Sequence, residues 1–326
     1  MTTRNPGRPP APDRARTNAA RPPRRTTLPE RDRTLAVPPA VRLRAEAAEP
    51  PEHLFRRLLS AYLGGAAAFE IEQAPVLSSG TREVAREFCR RTRRIEIVRD
   101  SAGLLELYDL EPLGAVDLDV LLERLGDLVL EVHRQAVDSW SRLPLGGDDR
   151  WSRRDDDVDR EAWFLERCIA RSDPGTRGRW EVATWTIARS LERIGDHAVT
   201  LGELGARLAE LGSDGCLVRE VRAYHCQAME HLEQVLRSAD GARANELLDV
   251  GEALVAGGRA LSERLLPAVG GGAMSPASAA AVARAVEAVG RTVAYSQDIA
   301  QAFFDRGPGE SPRTGVGERL VPVAAG

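Results

Sequence analysis

The sequence predicts a mainly α-helical protein, two tandem antiparallel three-helix bundles preceded by a small α/β module. Three observations carry this expectation. From Asp117 onward, Leu118, Leu121, Leu122, Leu125, Leu128, Val129, Val132 and Ala136 follow the 3-4-3 spacing of a buried helix face. Runs rich in Gly, Pro and Asp ("RLPLGGDD", "SDPGTRGR", "LGSDG", "RSADGAR", "PAVGGGAMSP") cut the region into helices at about 117–140, 152–172, 177–211, 216–238, 241–265 and 275–305. Finally, "ARSLERIGDHAVTLGELGARL" (188–208) can be laid on "ARAVEAVGRTVAYSQDIAQAF" (283–303), which makes the second half a copy of the first. Six antiparallel helices then form two bundles.

The elements before Asp117 mix two periodicities. Val41, Leu43 and Ala45 alternate as a strand end. "PEHLFRRLLSAYLGG" is an amphipathic helix stopped by Gly64 and Gly65. "AFEIE" is a short strand, and "SSGTREVAREFCRRTRR" is a helix opened by a Ser/Thr cap. "IEIVRD" and "LLELYDL" are strands around a turn at Ser101 to Gly103. Residues 1–33 are rich in Arg and Pro and poor in apolar groups, the composition of a disordered basic arm. The expected organisation is therefore an arm (1–33), an α/β module (34–112), a first three-helix repeat (113–212), a second, degenerate repeat (213–306) and a flexible tail (307–326).

Composition excludes several function classes. The 326 residues carry a net charge of -4, which does not fit a nucleic-acid coat. All 45 basic side chains are Arg, a coding bias rather than a sign of phosphate recognition. Cys89, Cys168, Cys216 and Cys226 form no CxxC pair and read as buried small hydrophobes in a reducing compartment. No run approaches the roughly 18 apolar residues of a membrane span, and a cytoplasmic protein is expected. There is no GxGxxG, P-loop or GxSxG, and no nucleophile beside an orienting base, so an enzyme is not expected. The histidines are dispersed; the His225-Cys226 pair reads as part of a packed helix, and Trp180 and Trp185 read as core.

One constellation calls for chemistry. In "LERIGDHAVTLGE", Glu192 and Asp196 stand four residues apart, so both carboxylates leave the same helix face. The preceding helix carries "RRDDDVDREAWFLERC", with Asp155 and Asp159 again four apart, Asp156 beside them and Asp157 to the side. If the two helices are antiparallel neighbours, Asp155, Asp156, Asp159, Glu192 and Asp196 form one cluster. Like charges about 4 Å apart repel by roughly 4 kcal/mol at an effective dielectric near 20. A bound cation or protonation must offset that repulsion. An all-oxygen donor set suits Mg²⁺, Ca²⁺, Mn²⁺ or iron better than zinc. His197 lies about 100° around the helix from Asp196 and is not counted as a ligand. The competing reading is a solvated acidic face paired with Arg153, Arg154, Arg160 and Arg193.

"ARSLERIGDHAVTLGELGARL" closely resembles the signature helix of the PhoU family of phosphate-uptake regulators, and "RDDDVDREAWFLERC" resembles its preceding acidic helix. "VAYSQDIAQAFFD" (293–305) resembles the degenerate second-repeat helix of the archaeal-type branch, and the likeness extends over about 35–306. It implies two three-helix repeats with metal clusters held by E(D)xxxD motifs. Asp155, Asp159, Glu192 and Asp196 would be the ligands and Asp156 an additional candidate, for a divalent or trivalent hard ion such as Mg, Mn or Fe. It implies a non-enzymatic regulator of phosphate uptake and homeostasis acting on phosphate transport components or a signalling partner, with a homodimer compatible with such bundles. The second repeat has Arg291 in place of the motif's acid and only Asp249 and Glu252 on its preceding helix, so no full metal site is expected there. Archaeal-type relatives begin with an AbrB-like DNA-binding strand module. Here the Arg/Pro arm replaces it, save a last strand near Val37 to Glu46, so direct DNA binding is not expected. The alternatives are a DNA-binding transcriptional regulator using the arm and the α/β module, and a metal-free helical scaffold.

Overall fold

The computed structural model describes residues 40–46, 48–110, 116–140, 150–172, 178–211, 215–238 and 243–306. The expected arm and tail lie outside the described residues. All of the described residues fall in one compact unit, Val37–Gly326.

The α/β module follows the order read from its periodicities: β1 (Val41–Arg44), α1 (Pro51–Leu63), β2 (Ala68–Glu72), α2 (Ser79–Arg91), β3 (Ile95–Asp100) and β4 (Leu104–Asp109). The sheet runs β1-β2-β4-β3. β1 and β2 are parallel and joined through α1, whereas β4 is antiparallel to both β2 and β3. Gly65, at φ +90°, closes α1: its N–H donates to Tyr62 O and that of Ala66 reaches back to Ala61 O. This is the left-handed helix ending that glycine permits. Ser78 caps α2, its hydroxyl accepting from Thr81 N at 3.0 Å. The module's core holds Leu54, Leu58, Tyr62, Phe69, Phe88 and Leu107, and it borrows Trp163 from the helical region.

Six long helices follow: α3 (Leu118–Ser139), α4 (Arg150–Arg171), α5 (Arg179–Glu210), α6 (Cys216–Arg237), α7 (Ala244–Glu263) and, after the short α8 (Leu265–Gly270), α9 (Pro276–Arg306). The long helices match the expected set to within a few residues. α3, α4 and α5 pack together, as do α6, α7 and α9, and the longest helices, α5 and α9, lie along each other between them. One continuous apolar core runs through both sets, including Leu191, Ile194, Ala198 and Leu201 of α5. α3 and α6 also meet at His133 and His225, whose Nδ1 and Nε2 are 2.8 Å apart in the core. Burial holds His133 down to about 3 and His225 well below its ordinary value, so both are neutral. No helix of the described residues is long and apolar enough to cross a membrane.

Glycines set how closely α4 approaches α5. Trp151 of α4 lies flat on Gly202, and Val158 lies on Gly195. Seven residues forward on α4 correspond to seven back on α5, so the pair is antiparallel. A Cβ on Gly195 would stand 2.7 Å from Val158 Cγ1, and one on Gly202 would overlap the Trp151 ring.

Two expectations are corrected. Trp180 is buried, but Trp185 is 47% exposed. Five residues along a helix amount to about 140°, so the two indoles cannot share one buried face. The cysteines are all free, yet Cys216 is exposed at the start of α6, where its thiol donates to Glu220.

Gly202→Ala should therefore destabilise the protein by about 1–3 kcal/mol, the usual range for overpacking a tight contact. Thermal or urea unfolding measures this; an unchanged transition would show that α4 does not rest on that glycine.

Candidate metal centre

The antiparallel contact decides which side chains meet. On α4, Ser152, Asp155, Asp159 and Trp163 follow one another at three- and four-residue steps. On α5, Glu192, Asp196, Val199 and Glu203 do the same. The two stripes flank the Val158–Gly195 contact and open a cleft of about 540 Å³, lined by these residues and Thr200. Gly195 has a direct part in this. Without a Cβ there, Val158 sits against the α5 backbone, and its neighbour Asp159 is brought over the Glu192–Asp196 face.

Four of the five expected acids, Asp155, Asp159, Glu192 and Asp196, thus share the cleft. Asp156 does not join them. It is buried on the side of α4 facing α2, where Oδ2 accepts from Arg90 Nη1 at 2.8 Å and Oδ1 lies 3.0 Å from Arg91 Nε. Residue 156 is about 100° around the helix from 155, and that rotation turns it from α5 to α2. His197 stacks on Tyr295 of α9, ring centroids 5.9 Å apart, outside the carboxylate group.

The electrostatics are those of crowded negative charge. Burial first, then Asp155, pushes Asp159 up to about 7 against the pull of Arg91. Asp196 is also pushed up to about 7, by burial and then by Glu192, Asp155 and Asp159. Asp196 stands at the mouth with much of its surface in solvent, so screening weakens the effect there. Asp159, only 8% exposed, is the stronger case. Asp155 and Glu192 are raised too, chiefly by burial. Of the arginines expected to neutralise the face, Arg154 and Arg160 pair with Asp157 instead, and Arg193 lies over the Tyr295 ring while its charge still pulls Glu192 down.

The donor chemistry fits a hard cation: carboxylate oxygens from two rigid helices, raised toward protonation by burial and by one another. Among the described residues no three Asp, Glu, His or Cys groups converge closely enough to hold an ion as they stand. Binding therefore requires the side chains to turn inward. Asp155, Glu192 and Asp196, being partly exposed, have room to do so. Sequence reading missed Glu203, although it lies seven residues beyond Asp196 on the same face. It also missed Trp163 and Arg91, which only the tertiary fold brings here.

Raised carboxylate pKa values carry a sign. The folded protein binds protons more tightly than the unfolded chain between about 3.9 and 7, so these groups lose stability as pH rises through that window. The His133–His225 pair acts oppositely below its unfolded value near 6.5, which makes a variant comparison necessary. In chelator-treated protein, Asp196→Asn should gain stability over wild type as pH is raised from 5 to 8. Urea unfolding at several pH values reads this, and a pH-independent difference contradicts the crowding.

Residues 122–204 match the sequence profile of the PhoU domain family. Among curated proteins, none matches this chain. A solved structure, the crystal structure of PhoU from Pseudomonas aeruginosa, is similar at 18% identity with a TM-score of 0.47, over 57% of this chain and 93% of that one. The matched region spans most of α3, all of α4 and every cleft-lining residue of α5 but none beyond Leu204, so the carboxylate cleft lies inside the part of the chain that is similar to the PhoU domain.

Proposed function

We propose that the protein is a regulator of phosphate uptake and phosphate homeostasis that binds a hard cation, with Mg²⁺, Mn²⁺ or iron the best fit, between α4 and α5. The observation that supports this is a coincidence of position: the PhoU domain match covers the two helices whose four carboxylates share one cleft. Asp155, Asp159, Glu192 and Asp196 would hold the ion, which supplies the positive charge that the cleft lacks. The regulator works in the cytoplasm on a phosphate transport component or a signalling partner, and it is not an enzyme.

An ion acts on such a partner only through states that bind it unequally. The cleft supplies that inequality. With an ion, the two acidic stripes are drawn together; without one, they are held apart by repulsion or joined by protons. The surface formed by α4 and α5 is therefore the one whose shape and charge follow occupancy.

Adding Mn²⁺ to chelator-treated protein should raise its Tm, since an ion that binds only the folded state stabilises it by about 2.7 kcal/mol at about 100 times Kd. Glu192→Gln with Asp196→Asn should abolish the shift. In cells lacking the wild-type chain, the same variant should accumulate normally yet fail to repress a phosphate-starvation reporter at high phosphate. Equal Tm shifts in wild type and variant would remove the cation site, and full repression by the variant would separate regulation from it.

A further inference from the structure

We propose that Arg91 is the built-in counter-ion of the carboxylate cleft, competing with a bound cation for Asp159 and so setting the cleft's affinity. The inference rests on the reading of the cleft as a cation site and adds the residue that tunes it.

Arg91 comes from the last turn of α2, in the α/β module. Its Nη2 donates to Asp159 Oδ2 at 2.6 Å, and its Nε lies 3.0 Å from Asp156 Oδ1. The guanidinium is fixed by packing rather than waving in solvent: it lies 5.3 Å from the Phe55 ring centroid and 5.1 Å from that of Trp163. Trp163 itself lines the cleft. Among the described residues, Arg91 alone makes an ion pair with a cleft-lining acid in this structure. Of the near cations on the α5 side, Arg189 pairs with Glu166 and Arg193 lies over the Tyr295 ring.

An ion in the cleft and the Arg91 guanidinium would stand on either side of one carboxylate. Each is attracted to Asp159 and repelled by the other, and the repulsion grows with the charge of the ion. While Arg91 holds Asp159, the Oδ2 of that carboxylate is engaged from the α2 side and is not free to turn toward an ion beside Glu192 and Asp196. The coupling is reciprocal: an ion that draws Asp159 inward loosens the seat of α2 on α4, and a firmly seated α2 weakens the ion. Cleft occupancy is thereby linked to the α/β module.

The test is calorimetric titration of the full chain with Mn²⁺, comparing wild type, Arg91→Met and Arg90→Gln. The Met variant keeps an unbranched apolar stem on Phe55 and Trp163 but removes the charge, and it should bind about tenfold more tightly. Arg90 reaches Asp156 and Glu87 but no cleft acid, so its variant should bind as wild type does. Binding by the Met variant but not by wild type also supports the proposal. Unchanged or weaker binding by the Met variant, with wild type binding normally, overturns the proposal and leaves the cation site standing. Silence from both wild type and the Met variant overturns the cation site, and the proposal with it. Should Arg91→Met fail to fold, the side-chain Nε–H resonance of Arg91 in the wild type decides: saturating Mg²⁺ should shift it, and an unmoved resonance with Mg²⁺ bound refutes competition.

Discussion

The close approach of α4 to α5 is the constraint on which the rest depends. Val158 on Gly195 and Trp151 on Gly202 leave no room for a side chain between the helices. That contact contributes packing free energy, and it also carries two acidic stripes to within reach of each other. The stripes are a consequence of the glycines. Were the helices held apart by a methyl group at each crossing, the same four carboxylates would face solvent and repel weakly, as exposed charges do. The glycine in "LERIGDH" is thus as much a part of the site as the acids beside it.

Three agents can neutralise the crowded charge, and they differ in what they leave behind. Protons settle on Asp159 and Asp196, whose carboxyls are pushed toward neutrality by burial and by the neighbouring acids. Arg91 neutralises Asp159 from outside the cleft and in doing so fastens α2 to α4. A multivalent ion would act from inside and pull both helices' acids to a common centre. Only the second ties the cleft to the sheet module, because Trp163 both lines the cleft and packs in the module's core, and Arg91 lies over its ring. The buried Arg167, which donates to Ala66 O and Asp109 while lying over the Tyr62 ring, anchors the other end of that same α4 surface.

Much of this was legible in the sequence, and the division follows the range of the signals. Helix identity rests on local period and on Gly/Pro breaks, so α3 to α7 and α9 could be placed to within a few residues. Asp155 with Asp159, and Glu192 with Asp196, could be paired because each pair is a single-turn repeat and consecutive helices turn back on each other. Asp156 could not be placed from spacing. Its direction is fixed by helical rotation, but whether that direction meets solvent, α5 or α2 is a tertiary fact. Arg91, some 64 to 68 positions before the acids of α4, carries no local mark among so many arginines. Glu203 is different, for it stands on the periodic face and was readable. Trp185 was readable too, since a five-residue step from a buried Trp180 points away from the core.

The second half shows what the first requires. Laying 283–303 on 188–208 puts Gly290 at Gly195, Arg291 at Asp196 and Gln297 at Gly202. There the small and large partners have changed sides: Gln297 of α9 packs on Gly251 of α7, and its side chain donates to Leu248 O. Where the first half brings Val158 against Gly195, the second admits Tyr224 from α6. Its hydroxyl lies where a Cβ on Gly258 would be 2.6 Å away and one on Gly290 3.8 Å away. An aromatic ring therefore fills the space between α7 and α9. Asp249, Glu252, Glu287 and Arg291 are all left exposed, with no crowded charge to relieve. Loss of the acid at Arg291 and entry of the ring at Tyr224 have the same effect: α9 keeps its long apolar contact with α5 as a brace, and the demand for positive charge is concentrated in the one cleft that α4 and α5 enclose.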